Sequence, residues 1–166
     1  MIFRLTQNLN TKIKAGPVAA VPLDENPYAD WSARLFTADR TQYILLCNTA
    51  SLYSTVMFGR GITTDSRFIE RALSSIREFM QDDGLEFIYQ QFVAPAGGVV
   101  RFAKALDRSV TGSMNELVAT AEMLLAEDEL SPHDVGFKLN DWLLSALGSG
   151  ATHDYGTPRE AFKQLV

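Results

Sequence analysis

The chain has 166 residues, a formal net charge of −5, 46% hydrophobic and 21% charged side chains, and one cysteine. That length suits one α+β domain, residues 1–166, because a chain of this size buries roughly 70% of the surface its unfolded form exposes. The acidic balance argues against general nucleic-acid binding, the longest apolar run (Tyr43 to Cys47) is far short of the roughly 20 residues a membrane span needs, and the start MIFRLTQNLN lacks a signal peptide's apolar segment, so the expected location is the cytoplasm.

Met1 to Leu5 reads as a short strand, after which Thr6 can cap a helix carrying Leu9 and Ile13 on one face. Gly16-Pro17 ends that helix, glycine taking the left-handed cap and proline unable to continue. Val18 to Asp30, with Pro22 and Pro27 and little periodicity, reads as a surface loop. Trp31, Ala33 and Leu35 then alternate with Ser32 and Arg34, residues 37–41 turn, and Gln42 to Cys47 returns as an apolar strand. Tyr53 to Phe58 adds a third strand. Because Tyr43 to Cys47 is apolar on both faces, it should be the middle of this meander, covered on both sides.

Phe68/Ile69, Ala72/Leu73, Ile76 and Phe79/Met80 recur at helical spacing, with Asp65 as N-cap candidate and Gly84 past the end. Arg67, Arg71 and Arg77 stand among Glu70, Glu78, Asp82 and Asp83, as on a solvated helix face. Leu85 to Phe92 predicts a shorter helix with Phe87, Ile88 and Phe92 inward, closed by Ala94-Pro95-Ala96-Gly97-Gly98. Val99 to Lys104 is a fourth strand and Asp107 to Gly112 a turn. Ser113-Met114-Asn115-Glu116 has the spacing of a capping box, from which a helix starts with Met114, Leu117, Val118, Ala121, Leu124 and Leu125 as its apolar stripe. Ser131-Pro132-His133-Asp134 starts another, burying Val135, Leu139, Trp142, Leu143, Ala146 and Leu147 before Gly148-Ser149-Gly150. Thr157-Pro158-Arg159-Glu160 opens a small terminal helix through Leu165. Together these predict an α+β fold with an antiparallel sheet of about four to five strands, including the β-meander, packed by several amphipathic helices.

Trp31-x-Ala33-x-Leu35-Phe36-Thr37, Leu45-Leu46-x-Asn48, Lys104, Arg108-Ser109-Val110-x-Gly112-Ser113-Met114-Asn115-Glu116 and Leu139-Asn140, taken together, resemble a family of small uncharacterised bacterial proteins, a domain of unknown function. The R-S-V-x-G-S-M-N-E piece is the most specific part. The resemblance implies a bacterial α+β domain and supplies no chemistry.

The densest cluster of small polar and charged side chains gives the candidate ligand site: Arg108, Ser109, Thr111, Gly112, Ser113 and Asn115. A strand feeding a glycine-containing turn into a helix start would put a guanidinium beside amide donors, which suits phosphate or carboxylate. The bland alternative is that Ser113 and Glu116 only cap the helix while Arg108 pairs with an acid such as Asp107. The spacing is not that of a phosphate-binding P-loop. His133 and His153 have no partner at i+3 or i+4, so no metal site is expected, and no cofactor. His153-Asp154 could serve a remote Ser109 or Ser113 only if the fold brought them together. Trp31, Tyr53 and Trp142 would be an aromatic wall or, as usual at such spacing, core. Cys47 reads as a small core hydrophobe rather than a nucleophile.

Whether the protein is an enzyme is left open. The leading expectation is a non-catalytic binding or regulatory module of a bacterial cell or mobile element, with a protein as partner and no membrane. The alternative is an enzyme or sensor binding a small anionic ligand at the Arg108 to Asn115 turn. A further one is an acidic inhibitor of a host system.

Overall fold

The computed structural model describes residues 1–106, 108–127, 130–144 and 156–165. Its strands are β1 (Ile2–Leu5), β2 (Asp30–Ala38), β3 (Thr41–Asn48), β4 (Ser54–Phe58) and β5 (Arg101–Lys104). The helices are α1 (Gln7–Ile13), α2 (Asp65–Asp82), α3 (Glu86–Ile88), α4 (Arg108–Glu127), α5 (Pro132–Asn140) and α6 (Pro158–Lys163). The strands form one sheet in the order β4-β3-β2-β1-β5, so the fold is α+β.

β2, β3 and β4 make the antiparallel meander that the alternation predicts, with Tyr43 opposite both Phe36 and Phe58. Those three rings stack in a row, centroids 5.6 and 5.4 Å apart. The sheet as a whole, however, is mixed: β1 runs parallel to β2 on one side and to β5 on the other. Alternation of side chains reports which faces are buried and carries nothing about a neighbour's direction. The direction follows from the connections, and the 6–29 segment, with α1 inside it, is long enough for a parallel crossover.

Both faces are covered. Phe3, Leu5, Trp31, Ala33, Ile44, Leu46 and Met57 join Leu9 and Ile13 of α1 and Phe68, Ala72, Ile76, Phe79 and Met80 of α2 in one core. Phe36, Ala38, Tyr43, Leu45, Cys47 and Val56 face the stripe of α4 and Val135 and Leu139 of α5 in the other. β3 is therefore buried from both sides, as its two-faced apolar run requires. Each large side chain so buried contributes roughly 1.5–3 kcal/mol. The outer edge of β4 is met by α5 at Ser54: the Asn140 side-chain Oδ1 accepts the Ser54 amide at 2.7 Å and its Nδ2 donates to the Ser54 carbonyl at 2.9 Å, as a neighbouring strand would.

Several local expectations are corrected. The α2 cap is Thr64, whose hydroxyl accepts the Arg67 amide, and not Asp65. Thr6 holds the N-cap position of α1 but its side chain caps nothing. The 85–98 segment is a chain of short helical turns, and Phe87 is exposed. The helix from Ser131 stops at Asn140, leaving Trp142 and Leu143 exposed; Ala146, Leu147 and 148–150 lie outside the described residues. α6 ends at Lys163. Its Phe162 is fully buried among Tyr28, Trp31 and Tyr53, stacking on Tyr53 at 4.4 Å. Trp31 and Tyr53 are thus core, and Trp142 shares no wall with them.

Candidate functional site

The polar cluster singled out in the sequence does not form a turn. α4 begins at Arg108, so Ser113 lies inside the helix and caps nothing. Its hydroxyl instead donates back to the Ser109 carbonyl at 3.2 Å. Val110, packed against the α4 core, extends the apolar stripe of Met114 and Leu117 one turn towards the N-terminus, and that burial overrides the turn preference of Ser, Thr and Gly. The cluster is consequently split. Arg108, Ser109, Gly112 and Asn115 are exposed, Thr111 is half-buried and Ser113 is buried. The Asn115 carbonyl oxygen accepts a bond from the Arg34 guanidinium of β2, a residue that the sequence did not single out. Asp107, His153 and Asp154 lie outside the described residues.

A cleft lies instead at the carboxyl ends of β1 and β5. It has a volume of about 730 Å³ and is lined by Leu5 and Thr6 leaving β1, Gln7, Asn10, Thr11 and Lys14 of α1 and its end, 16–18 of the following segment, and Lys104 and Ala105 leaving β5. The topology explains why it is there. From β1 the chain crosses to β2 on one side, while β5 is added on the other after the whole meander and α2. The connections therefore diverge at the end of β1, where open sheets with parallel strands leave a crevice. Lys14 sits there with a left-handed backbone, φ 57°, at the C-cap of α1. The wall is fixed by Asn10, whose Nδ2 donates to the Gly16 carbonyl at 2.8 Å, and by the Lys104 amide, which donates to the Ala19 carbonyl at 3.0 Å.

The electrostatics are one-sided. Among the described residues none lining the cleft is acidic, and neither Lys14 nor Lys104 has an ion-pair or hydrogen-bond partner for its ammonium. Thr6 contributes a further oddity, a hydroxyl oxygen buried without a hydrogen-bond partner.

A family model, Domain of unknown function (DUF6933), matches residues 2–161. The chain belongs to this family. Within the DUF6933 match fall the whole sheet, the cleft and the Arg108 to Asn115 segment. No curated protein matches the chain. The family description carries no activity, so the chemistry has to come from the side chains.

Several other polar groups of this DUF6933 chain are tied up. His133 bonds Asp82 at 2.9 Å with its ring against Phe79 and Phe137, beside a hollow of about 240 Å³ under β4. Asp83 accepts from the Tyr53 hydroxyl at 2.8 Å and from Arg159 Nε at 3.0 Å, fastening α6 to the end of α2. Burial, then the Asp83 charge, holds the Tyr53 phenol well above its ordinary range. Cys47 is buried, and burial pushes its thiol up to about 12, so it is a neutral core group. Among the described residues no group of three His, Cys, Asp or Glu could hold a metal, and no helix is long and apolar enough to cross a membrane.

Sequence reasoning missed the cleft because its residues are scattered through 5–18 and 104–105 and match no motif. One signal was present: Lys14 caps the helix that follows β1 and Lys104 is the last residue of β5, and the two strands end at the same side of the sheet once they are known to be parallel neighbours.

Proposed function

We propose that this domain is a non-catalytic binding module whose occupant is a small anion, held in the cleft at the ends of β1 and β5. The observation that carries the reading is the pair of lysines, Lys14 and Lys104, lining one cleft that holds no carboxylate among the described residues, in a chain whose net charge is −5. An acidic protein repels anions on average, so a locally cationic, concave spot is where one would be retained.

Thermal unfolding with increasing inorganic phosphate tests the reading. A ligand at 100 times its Kd stabilises the native state by about 2.7 kcal/mol, a shift readily seen. The wild type should gain stability, Lys14→Ala and Lys104→Ala should lose most of the gain, and Arg108→Ala should keep it. If Arg108→Ala alone abolishes the gain, the anion site belongs to the start of α4 and the cleft reading is wrong.

A further inference from the structure

We infer that the anion taken by this cleft is the phosphate of a small phosphorylated polyol, a sugar phosphate or its open-chain counterpart. The inference rests on the reading that the cleft binds an anion at all, and names its class.

Charge comes first. Two lysines from separate elements, Lys14 at the end of α1 and Lys104 at the end of β5, line the cleft, and two positive charges suit a dianionic head better than a single carboxylate. A phosphate monoester, with a second pKa near 6, carries close to two charges at neutral pH. Lysine meets it as a compact point charge and imposes no fork geometry. Size comes next. About 730 Å³ falls within the range of roughly 300–1,000 Å³ typical of small-molecule sites and greatly exceeds the volume of one phosphate. The remainder leaves room for an organic portion.

The lining chooses that portion. The Asn10 amide spends its nitrogen on the Gly16 carbonyl, and among the described residues nothing donates to its Oδ1. Thr11 donates its hydroxyl proton to the Gln7 carbonyl at 3.0 Å and keeps its lone pairs. The exposed Gln7 side chain makes no hydrogen bond among the described residues. Amide and hydroxyl groups of this kind exchange hydrogen bonds with hydroxyls. No aromatic ring or guanidinium lines the cleft among the described residues, so a nucleobase has no surface on which to stack. The apolar part, Leu5, Val18 and Ala105 among it, is aliphatic and suits a sugar's carbon face.

Titration calorimetry on the full chain decides it, with glycerol 3-phosphate, ribose 5-phosphate and glucose 6-phosphate set against inorganic phosphate and AMP. At least one of the three should bind about tenfold tighter than inorganic phosphate, the gain of one or two net hydrogen bonds, with AMP no tighter than the best of them. Gln7→Ala should bring that ligand to within about twofold of inorganic phosphate while leaving inorganic phosphate unchanged. Lys104→Ala should weaken both. All three polyol phosphates matching inorganic phosphate, or AMP binding tightest, overturns the polyol assignment and leaves the anion cleft standing. No binding by any phosphate, or binding indifferent to Lys104→Ala, removes the anion cleft and the polyol with it.

Discussion

Arg4 and Asp30 reach each other from neighbouring parallel strands and are both sealed from solvent, bonded Nε to Oδ1 at 2.8 Å and Nη2 to Oδ2 at 2.7 Å. Both groups make further bonds. Nη1 donates to the Val21 carbonyl at 3.0 Å and Nη2 to the Pro22 carbonyl at 2.9 Å, while Asp30 also accepts from the Thr49 hydroxyl at 2.7 Å and the Asp24 amide at 3.0 Å. The pair therefore pins the 14–29 connection, whose first residues wall the cleft, to the sheet.

Asp30→Ala would leave the guanidinium buried without a counter-charge, and breaking such a pair costs about 3–5 kcal/mol. Replacing both partners together, Arg4→Met with Asp30→Leu, should recover most of that loss, because the penalty lies in the orphaned charge and not in the absence of the pair. Urea unfolding of the single and double variants measures both. A loss below about 1 kcal/mol in Asp30→Ala, the scale of an exposed pair, would show that the connection is held by something else.

Gly136→Ala should destabilise, although glycine to alanine within a helix normally gains about 1 kcal/mol. A Cβ at Gly136 would stand 2.6 Å from Phe79 Cε2 and 3.0 Å from its Cζ. Phe79 cannot yield, since it is fully buried between Tyr53, His133 and Phe137. The clash exceeds the propensity gain, and a net loss of about 1–3 kcal/mol is expected from overpacking. A higher melting temperature in this variant would mean that α5 sits further from α2 than described.

Alkaline stability follows from two buried acids. The Cys47 thiol rises from 9.0 to about 12 on folding, so the native state holds its proton where the unfolded chain has released it. The stabilisation is fully present below pH 9 and is lost as pH climbs towards 12, about 4 kcal/mol over the window at 1.36 kcal/mol per unit. Tyr53 acts in the same direction above pH 10. Unfolding free energy measured from pH 8 upwards should fall steadily, and Cys47→Ala should remove the part that begins near pH 9. A thiol reagent that labels the native protein at pH 8 as fast as it labels a free thiol would contradict the burial.

The meander was legible because its strands alternate and its turns are local, and α2 was legible because seven apolar residues, Phe68 to Met80, recur at helical spacing. The parallel partners β1 and β5 could be recognised as strands but not as neighbours: Leu5 and Lys104 pair across more than half of the chain, and nothing local encodes that register. The start of α4 was misplaced for a related reason. Ser113 and Glu116 carry capping-box chemistry, yet Val110, partly buried against a core whose sheet is built from distant residues, lies within α4, which starts at Arg108. Asn140 reads as an ordinary polar helix residue until its partner, the backbone of Ser54, is known.

Thr6 gives the sharpest contrast between a local rule and this structure. Threonine at an N-cap ordinarily stabilises a helix, and its replacement by an apolar residue costs about 1 kcal/mol. Here the hydroxyl accepts from no α1 amide and is buried without a partner. An unpaired buried hydroxyl costs about 1–3 kcal/mol, and valine has nearly the same shape without that burden. Thr6→Val should thus raise stability by about 1 kcal/mol in the ligand-free protein, read as a higher urea midpoint at unchanged slope. A loss of that size would show that the hydroxyl is satisfied in solution, either by capping α1 or from within the cleft. Repeating the measurement in saturating phosphate separates the two: a capping role costs the same with and without the ligand, whereas a hydroxyl engaged through the cleft costs more when the cleft is filled.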